Sequence, residues 1–154
     1  MSAPTFPRIG TDDAAILAVL TEHHEAIAAK EPARAVAVFA PGAVRFDLAP
    51  PLVQGTGSRE GDVEALRGWM AGFDGPIRLA LREPVVAADG DIAFVHALTS
   101  LTATPIGTTE PFTLWFRSSF GLRRSGDGWL VVHQHESVPF LMDGSFLAAT
   151  GLQP

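Results

Sequence analysis

Cysteine is absent from this 154-residue chain, which excludes disulfides, thiolate nucleophiles and cysteine-bound metal centres. Tyrosine is absent too, so no phenol can serve as acid, base or oxyanion donor. Lysine occurs once against ten arginines, a usage that speaks of a GC-rich bacterial genome rather than of chemistry. No run of like charges occurs, and 17 acidic against 11 basic residues give a net charge of −6. That balance argues against a nucleic-acid or anionic-membrane surface and leaves small hydrophobic ligands open. No apolar run reaches the length of a bilayer span, and no basic segment leads into an apolar one at the start, so a soluble cytoplasmic protein is expected.

What is present suits one domain over residues 1–154, long enough to bury roughly 70% of its unfolded surface. Thr11 with Asp12 and Asp13 reads as an N-cap and acidic first turn, followed by Ile16, Val19, Leu20, His23 and Ile27 at helical spacing as far as Lys30. Pro32 suits a first helical position, and Ala33 to Phe39 form a second short helix stopped by Pro41 and Gly42. Val44 to Leu48 reads as a strand and 49–58 as a loop. Leu66, Trp69, Met70 and Phe73 mark a third helix, closed by Gly75 and Pro76. From Ile77 onward the pattern is that of long antiparallel strands, 77–87, 92–103, 111–123 and 129–138, joined by turns at 88–91 and 125–128. Residues 141–154 form a partly ordered tail that covers a pocket mouth or a dimer edge.

The most informative stretch is Gly128-Trp129-Leu130-Val131-Val132-His133-Gln134-His135-Glu136-Ser137-Val138. Strict alternation puts His133, His135 and Ser137 in one row with Trp129 and Val131, and Gln134 and Glu136 in the other. Polar groups set into an apolar strand cost a few kcal/mol each if buried without partners. The histidine row is therefore read as the wall of a cavity holding water or a ligand.

Two segments carry a resemblance. Phe39-Ala40-Pro41-Gly42-Ala43-Val44-Arg45-Phe46-Asp47 resembles the helix-to-strand passage, ending in an acid, of the nuclear transport factor 2-like superfamily, and Gly128 to Pro139 is similar to the last strand of its SnoaL-like members. The resemblance implies an α+β, cone-shaped fold with three N-terminal helices packed in the concave face of a curved, mostly antiparallel sheet. It places the general base of ketosteroid isomerases on Asp47, the oxyanion-donating tyrosine on His23, and its protonated-aspartate partner near Ser119. Neither of those two donors is kept, so the resemblance implies an acid on the first strand with a different set of donors around it.

The candidate catalytic residues are Asp47, as a base or as a carboxylate paired with Arg45 or Arg117; His133, His135 and His23, as acids, bases or oxyanion donors; and Arg117, as a fork for an acidic group or the partner of Asp47 or Glu136. Trp69, Phe73, His96, Trp115, Ser119 and Ser137 are the candidate substrate-binding residues. No metal and no cofactor are called for, since His133 and His135 lack the further converging ligands that a metal needs. Two functions follow. One is a cofactor-independent enzyme performing isomerisation, cyclisation or hydration on a small hydrophobic carbonyl or polyketide-like compound. The other is a non-catalytic ligand-binding or assembly module, homodimeric through the sheet.

Overall fold

The computed structural model describes residues 12–55 and 57–154. Three helices, α1 (Asp13–Ala28), α2 (Pro32–Ala37) and α3 (Arg59–Met70), accompany five strands, β1 (Phe39–Phe46), β2 (Phe73–Asp89), β3 (Ile92–Pro105), β4 (Phe112–Ser125) and β5 (Gly128–Ser137). The strands form one curved sheet in the order β1-β5-β4-β3-β2, with β1 parallel to β5 and every other pair antiparallel.

The N-cap expected at Thr11 lies outside the described residues; Asp12 stands immediately before α1. The helix ends in two reversed hydrogen bonds, Lys30 N to Ile27 O and Glu31 N to Ala26 O, with Lys30 at a φ of 55° where glycine is usual. Lys30 Nζ then donates to the carbonyl of Phe73 at 2.6 Å, fastening the end of α1 to the start of β2. The second helix stops at Ala37, earlier than the sequence pattern suggests, and Phe39 instead pairs with Val131 in the sheet. Between Phe39 and Val44 the register of β1 is irregular, around Pro41, which has no N–H to give, and Gly42, whose φ is 76°. Phe73, expected on the third helix, opens β2.

Ile16 and Leu20 of α1 pack with Val95, Phe120, Leu122 and Val131, which puts this helix on the inner face of the sheet. A second cluster, around Ile27, Met70, Ile77, Leu101 and Phe116, fills the other end. The three helices are not equivalent there. The helix α2 leans on α1, and α3 leans on α2 and buries only Met70. Arg59 joins α3 to the rest, donating to the carbonyls of Val36 and Phe39 at 3.1 and 2.9 Å. Arg124 closes the opposite end, stacked 4.5 Å above the Trp129 ring and ion-paired with Asp12 and Asp91.

No helix among the described residues is long and apolar enough to cross a membrane.

Candidate active site

The phase of β5 decides what faces the interior. On β4 the buried residues are Phe116, Ser118, Phe120 and Leu122, so the even-numbered row is the inner one. Leu122 pairs with Val131, but Gly121 pairs with His133, so Val132 is an extra residue, a β-bulge. The bulge inverts the alternation halfway along the strand. Trp129 and Val131 face inward before it; after it, Gln134 lies inward beside Phe120, and Glu136 beside Ser118.

This corrects the placement of seven expected site residues. His133, His135 and Ser137 lie on the outer face, as do their neighbours Arg117, Ser119 and Trp115 on β4 and His96 on β3. Arg117, His96 and His135 are exposed. His133 Nδ1 donates to the carbonyl of Val44 at 2.8 Å, and Phe46 sets its ring edge-on to His133 and His135, with centroids 4.9 and 5.6 Å apart. These histidines thus belong to an aromatic cluster on the convex side. Trp69 and Phe73 pack edge to face at 5.1 Å as part of the second core cluster.

Asp47 and His23 do lie on the inner side. Arg45 pairs with Gln134 across the parallel β1/β5 ladder, and Asp47, two residues on, follows it onto the same face. Gln134 Nε2 donates to Asp47 Oδ1 at 3.3 Å, and Arg45 Nε stands 3.6 Å from Asp47 Oδ2. The Arg45 guanidinium also reaches α3, with Nη2 3.1 Å from Asp62 Oδ1, and lies over the Phe39 ring. The expected alternative of Asp47 beside Arg45 is therefore what is found, at a separation too long for a hydrogen bond. Extending the register Phe46↔His135 by one residue brings Asp47 beside Glu136.

Electrostatics separates the two acids. Burial raises the Asp47 carboxyl above its usual range, against the lowering effects of Arg45 and of the Gln134 hydrogen bond. Glu136 is pushed up to about 8 by burial first and by the Asp47 charge second, with Arg45 only partly offsetting them. At neutral pH Glu136 is protonated. His23 and His24, both buried on α1, are driven down to about 4 and about 3 by desolvation. His23 Nδ1 donates to the Ala35 carbonyl at 2.9 Å, leaving Nε2 of the neutral ring as an acceptor. Next to Glu136 on the inner face, Ser118 shares a 2.7 Å hydrogen bond with Thr99.

A cleft of about 130 Å³ opens beside the Arg45–Asp62 pair, walled by Phe39, Ala43, Gly55 and Arg59. It is smaller than the usual site for a drug-sized ligand, so it suits a small molecule or part of one. Among the described residues no group of three or more histidine, aspartate or glutamate side chains is arranged to hold a metal ion.

Gln134, Glu136 and Asp62 were missed from sequence. The bulge at Val132 carries no signature in a run of apolar residues. One signal was available on β4, where Leu114, Phe116, Phe120 and Leu122 make the even row far more apolar than the row of Trp115, Arg117 and Ser119.

The family model for the SnoaL-like domain matches residues 16–141. Comparison with curated proteins gives no match. Among solved structures, an NTF2-like protein of unknown function from Pseudomonas putida KT2440 is similar at 25% identity and TM-score 0.78, over 92% of this chain and 96% of that one. A ketosteroid isomerase-like protein from Erwinia carotovora atroseptica SCRI1043 is similar at 20% identity and TM-score 0.66, over 84% of this chain and 97% of that one. A protein provisionally described as a dehydratase of the NTF2-like family, from Streptomyces avermitilis, is similar at 18% identity and TM-score 0.70, over 82% and 95%.

Proposed function

The chain belongs to the SnoaL-like domain family, and from that premise we propose that it is a cofactor-independent enzyme moving a proton within a small hydrophobic carbonyl or hydroxyl compound, by isomerisation, dehydration or its reverse, or cyclisation. One observation carries the reading: two neighbouring carboxyl groups on the inner face sit in different environments, Asp47 with an Arg45 ion pair and a Gln134 hydrogen bond, Glu136 more deeply buried with no hydrogen bond and only a weaker, more distant influence of Arg45. Asp47, the carboxyl held by the Arg45 ion pair and the Gln134 hydrogen bond, takes the proton. Glu136, protonated, gives one to the oxygen where charge develops, and Arg45 limits the basicity of Asp47 while fixing its orientation. The neighbours described as isomerase-like and as a dehydratase agree with proton transfer of this kind, at identities where only the fold is shared.

The test is turnover in a panel of activated ketones, β-hydroxy ketones and polyketide-like enols. With a substrate found, Asp47→Asn and Glu136→Gln should each lower kcat/KM by roughly 10²–10⁴-fold. His135→Ala and Arg117→Ala, on the outer face, should remain within about 2-fold, an ordinary tolerance for surface changes. Retention of full activity by both carboxyl variants would overturn the assignment.

A second reading, a binding module of the same fold, draws support from the contacts of Arg45 with Asp47 and Asp62 and from the small cleft. Saturable binding of such compounds without turnover would favour it.

A further inference from the structure

The cleft beside Arg45 and Asp62 is not used by the proton transfer proposed above, yet two arginines are built into its wall. Phe39 holds both of them. Its ring lies 5.1 Å from the Arg45 guanidinium, and its carbonyl accepts from Arg59 Nη2 at 2.9 Å, while the Val36 carbonyl takes Arg59 Nη1 at 3.1 Å. Asp62, 3.1 Å from Nη2, fixes Arg45 further, and the Arg45 side chain is only 12% exposed. Both cations are thus held in place before any ligand arrives, which lowers the entropic cost of gripping one.

Neither guanidinium is saturated, since each carries five N–H donors. Arg45 gives one hydrogen bond to Asp62, and its Nε, 3.6 Å from Asp47 Oδ2, is buried without an acceptor. Its Nη1 makes no hydrogen bond among the described residues and is not one of the buried unpartnered atoms, so it keeps access to the cleft that Arg45 lines. Arg59, exposed, makes no hydrogen bond through Nε among the described residues. The cleft itself carries one carboxylate, Asp62; Glu60 and Glu64 line a separate groove that shares only Arg59 with it. With Asp47 behind Arg45, two acids face two arginines, so what is left over is hydrogen-bonding capacity rather than net charge. That suits a carboxylate, a planar monoanion that matches the guanidinium fork, better than a phosphate dianion. A volume of about 130 Å³ between walls such as Val36, Phe39 and Ala43 admits a carboxylate on a short apolar chain.

We infer that this cleft is a binding site for a carboxylate, held between Arg45 and Arg59. The site goes beyond the proton-transfer reading and does not depend on it. A carboxylate engaging Nη1 leaves in place the contact of Arg45 with Asp47, which is made through Nε. The fork for an acidic group that the sequence suggests at Arg117 is thus supplied by other arginines, Arg117 being on the outer face.

The experiment uses the whole chain and a matched set of probes, propionate, propionamide and propylamine, with hexanoate as a longer carboxylate. Binding at pH 7 in chloride-free buffer is followed in ¹H–¹⁵N spectra that include the arginine Nε–H signals. Propionate should shift the Arg45 Nε–H and the Gly57 amide, at the cleft wall, and bind about 10-fold more tightly than propionamide, because hydrogen bonds to a charged group are the stronger ones. Propylamine should leave both signals unmoved. Arg59→Gln should weaken propionate about 10-fold. Asp62→Asn, which removes the competing carboxylate, should tighten it roughly 3-fold, a gain that loss of the fold cannot imitate. Propionamide binding as tightly as propionate, shifts confined to signals away from the cleft, or weaker propionate binding in Asp62→Asn would overturn the inference. Hexanoate identifies the source of the acidic group. A shift of the Glu136 carboxyl in ¹³C spectra, besides that of Arg45, makes the cleft the anchor for the tail of an interior ligand. A response confined to the cleft makes it the seat of a separate acid, and either response supports the site.

Discussion

At the scale of single residues the interior groups make stability pH-dependent in two opposed ways. His23 and His24 titrate near 6.5 when unfolded and at about 4 and about 3 when folded, so the unfolded chain binds more protons in that interval. Their contribution is complete above pH 6.5 and lost as the pH falls toward 3, on the order of 8 kcal/mol in all. Thermal melts from pH 7 to pH 4 should show the decline, and His24→Phe should flatten it; an unchanged slope in that variant would contradict the burial of a neutral His24. Glu136 acts with the other sign. Its folded value of about 8 stands above the usual 4.5, so the stability it allows at pH 4.5 is lost as the pH rises through 8. Glu136→Gln should therefore melt higher than the parent at pH 9 and about equally at pH 4.5, as read by calorimetry.

Elements are where the sequence was most and least legible. Long alternating runs with Asp89-Gly90 and Asp127-Gly128 near their turns gave the four-strand meander, because period-two patterning and turn glycines are local properties. The helices emerged to within a few residues for the same reason. The face on which the β5 side chains lie did not, although the inward placement of Asp47 and His23 was legible. One inserted residue, Val132, exchanges the two rows of β5, and only the pairing with β4 reveals it. Gln134 and Glu136 thereby take the place expected for His133 and His135. Backbone geometry also sets the position of Arg45. The bridge Arg45↔Gln54 brings the following loop against β1, and Gly55, with φ at 81°, passes so close that a Cβ would overlap the Ala43 carbonyl oxygen. Gly55→Ala should cost about 1–3 kcal/mol in urea unfolding. Gly57→Ala, where a Cβ meets open space, should cost far less; similar losses in both would argue against the close approach.

For the molecule as a whole, the convex sheet face bears Val85, Phe94 and Leu98, 51%, 48% and 39% exposed, together with Trp115 and the Phe46–histidine cluster that the inversion of β5 adds to it. We propose that this face joins two copies into a homodimer, since contiguous apolar surface on a soluble domain marks an interaction site. Sedimentation should show a dimer for the parent chain and a folded monomer for Phe94→Asp combined with Leu98→Asp. A monomeric parent at micromolar concentration would refute it. On these two proposals inside and outside would have separate tasks, with the carboxyl pair in the concavity and assembly on the sheet. That division accounts for polar residues on both faces of β5.

Asp47 and Glu136 are proposed to form one interior acid–base pair. Carbon-13 titration of the Glu136 carboxyl, in the parent chain and in Asp47→Asn, tests it most directly. A midpoint near 8 is expected in the parent and a lower one in Asp47→Asn, because the Asp47 charge is among the causes of the rise. A midpoint near 4.5 in both proteins would contradict it.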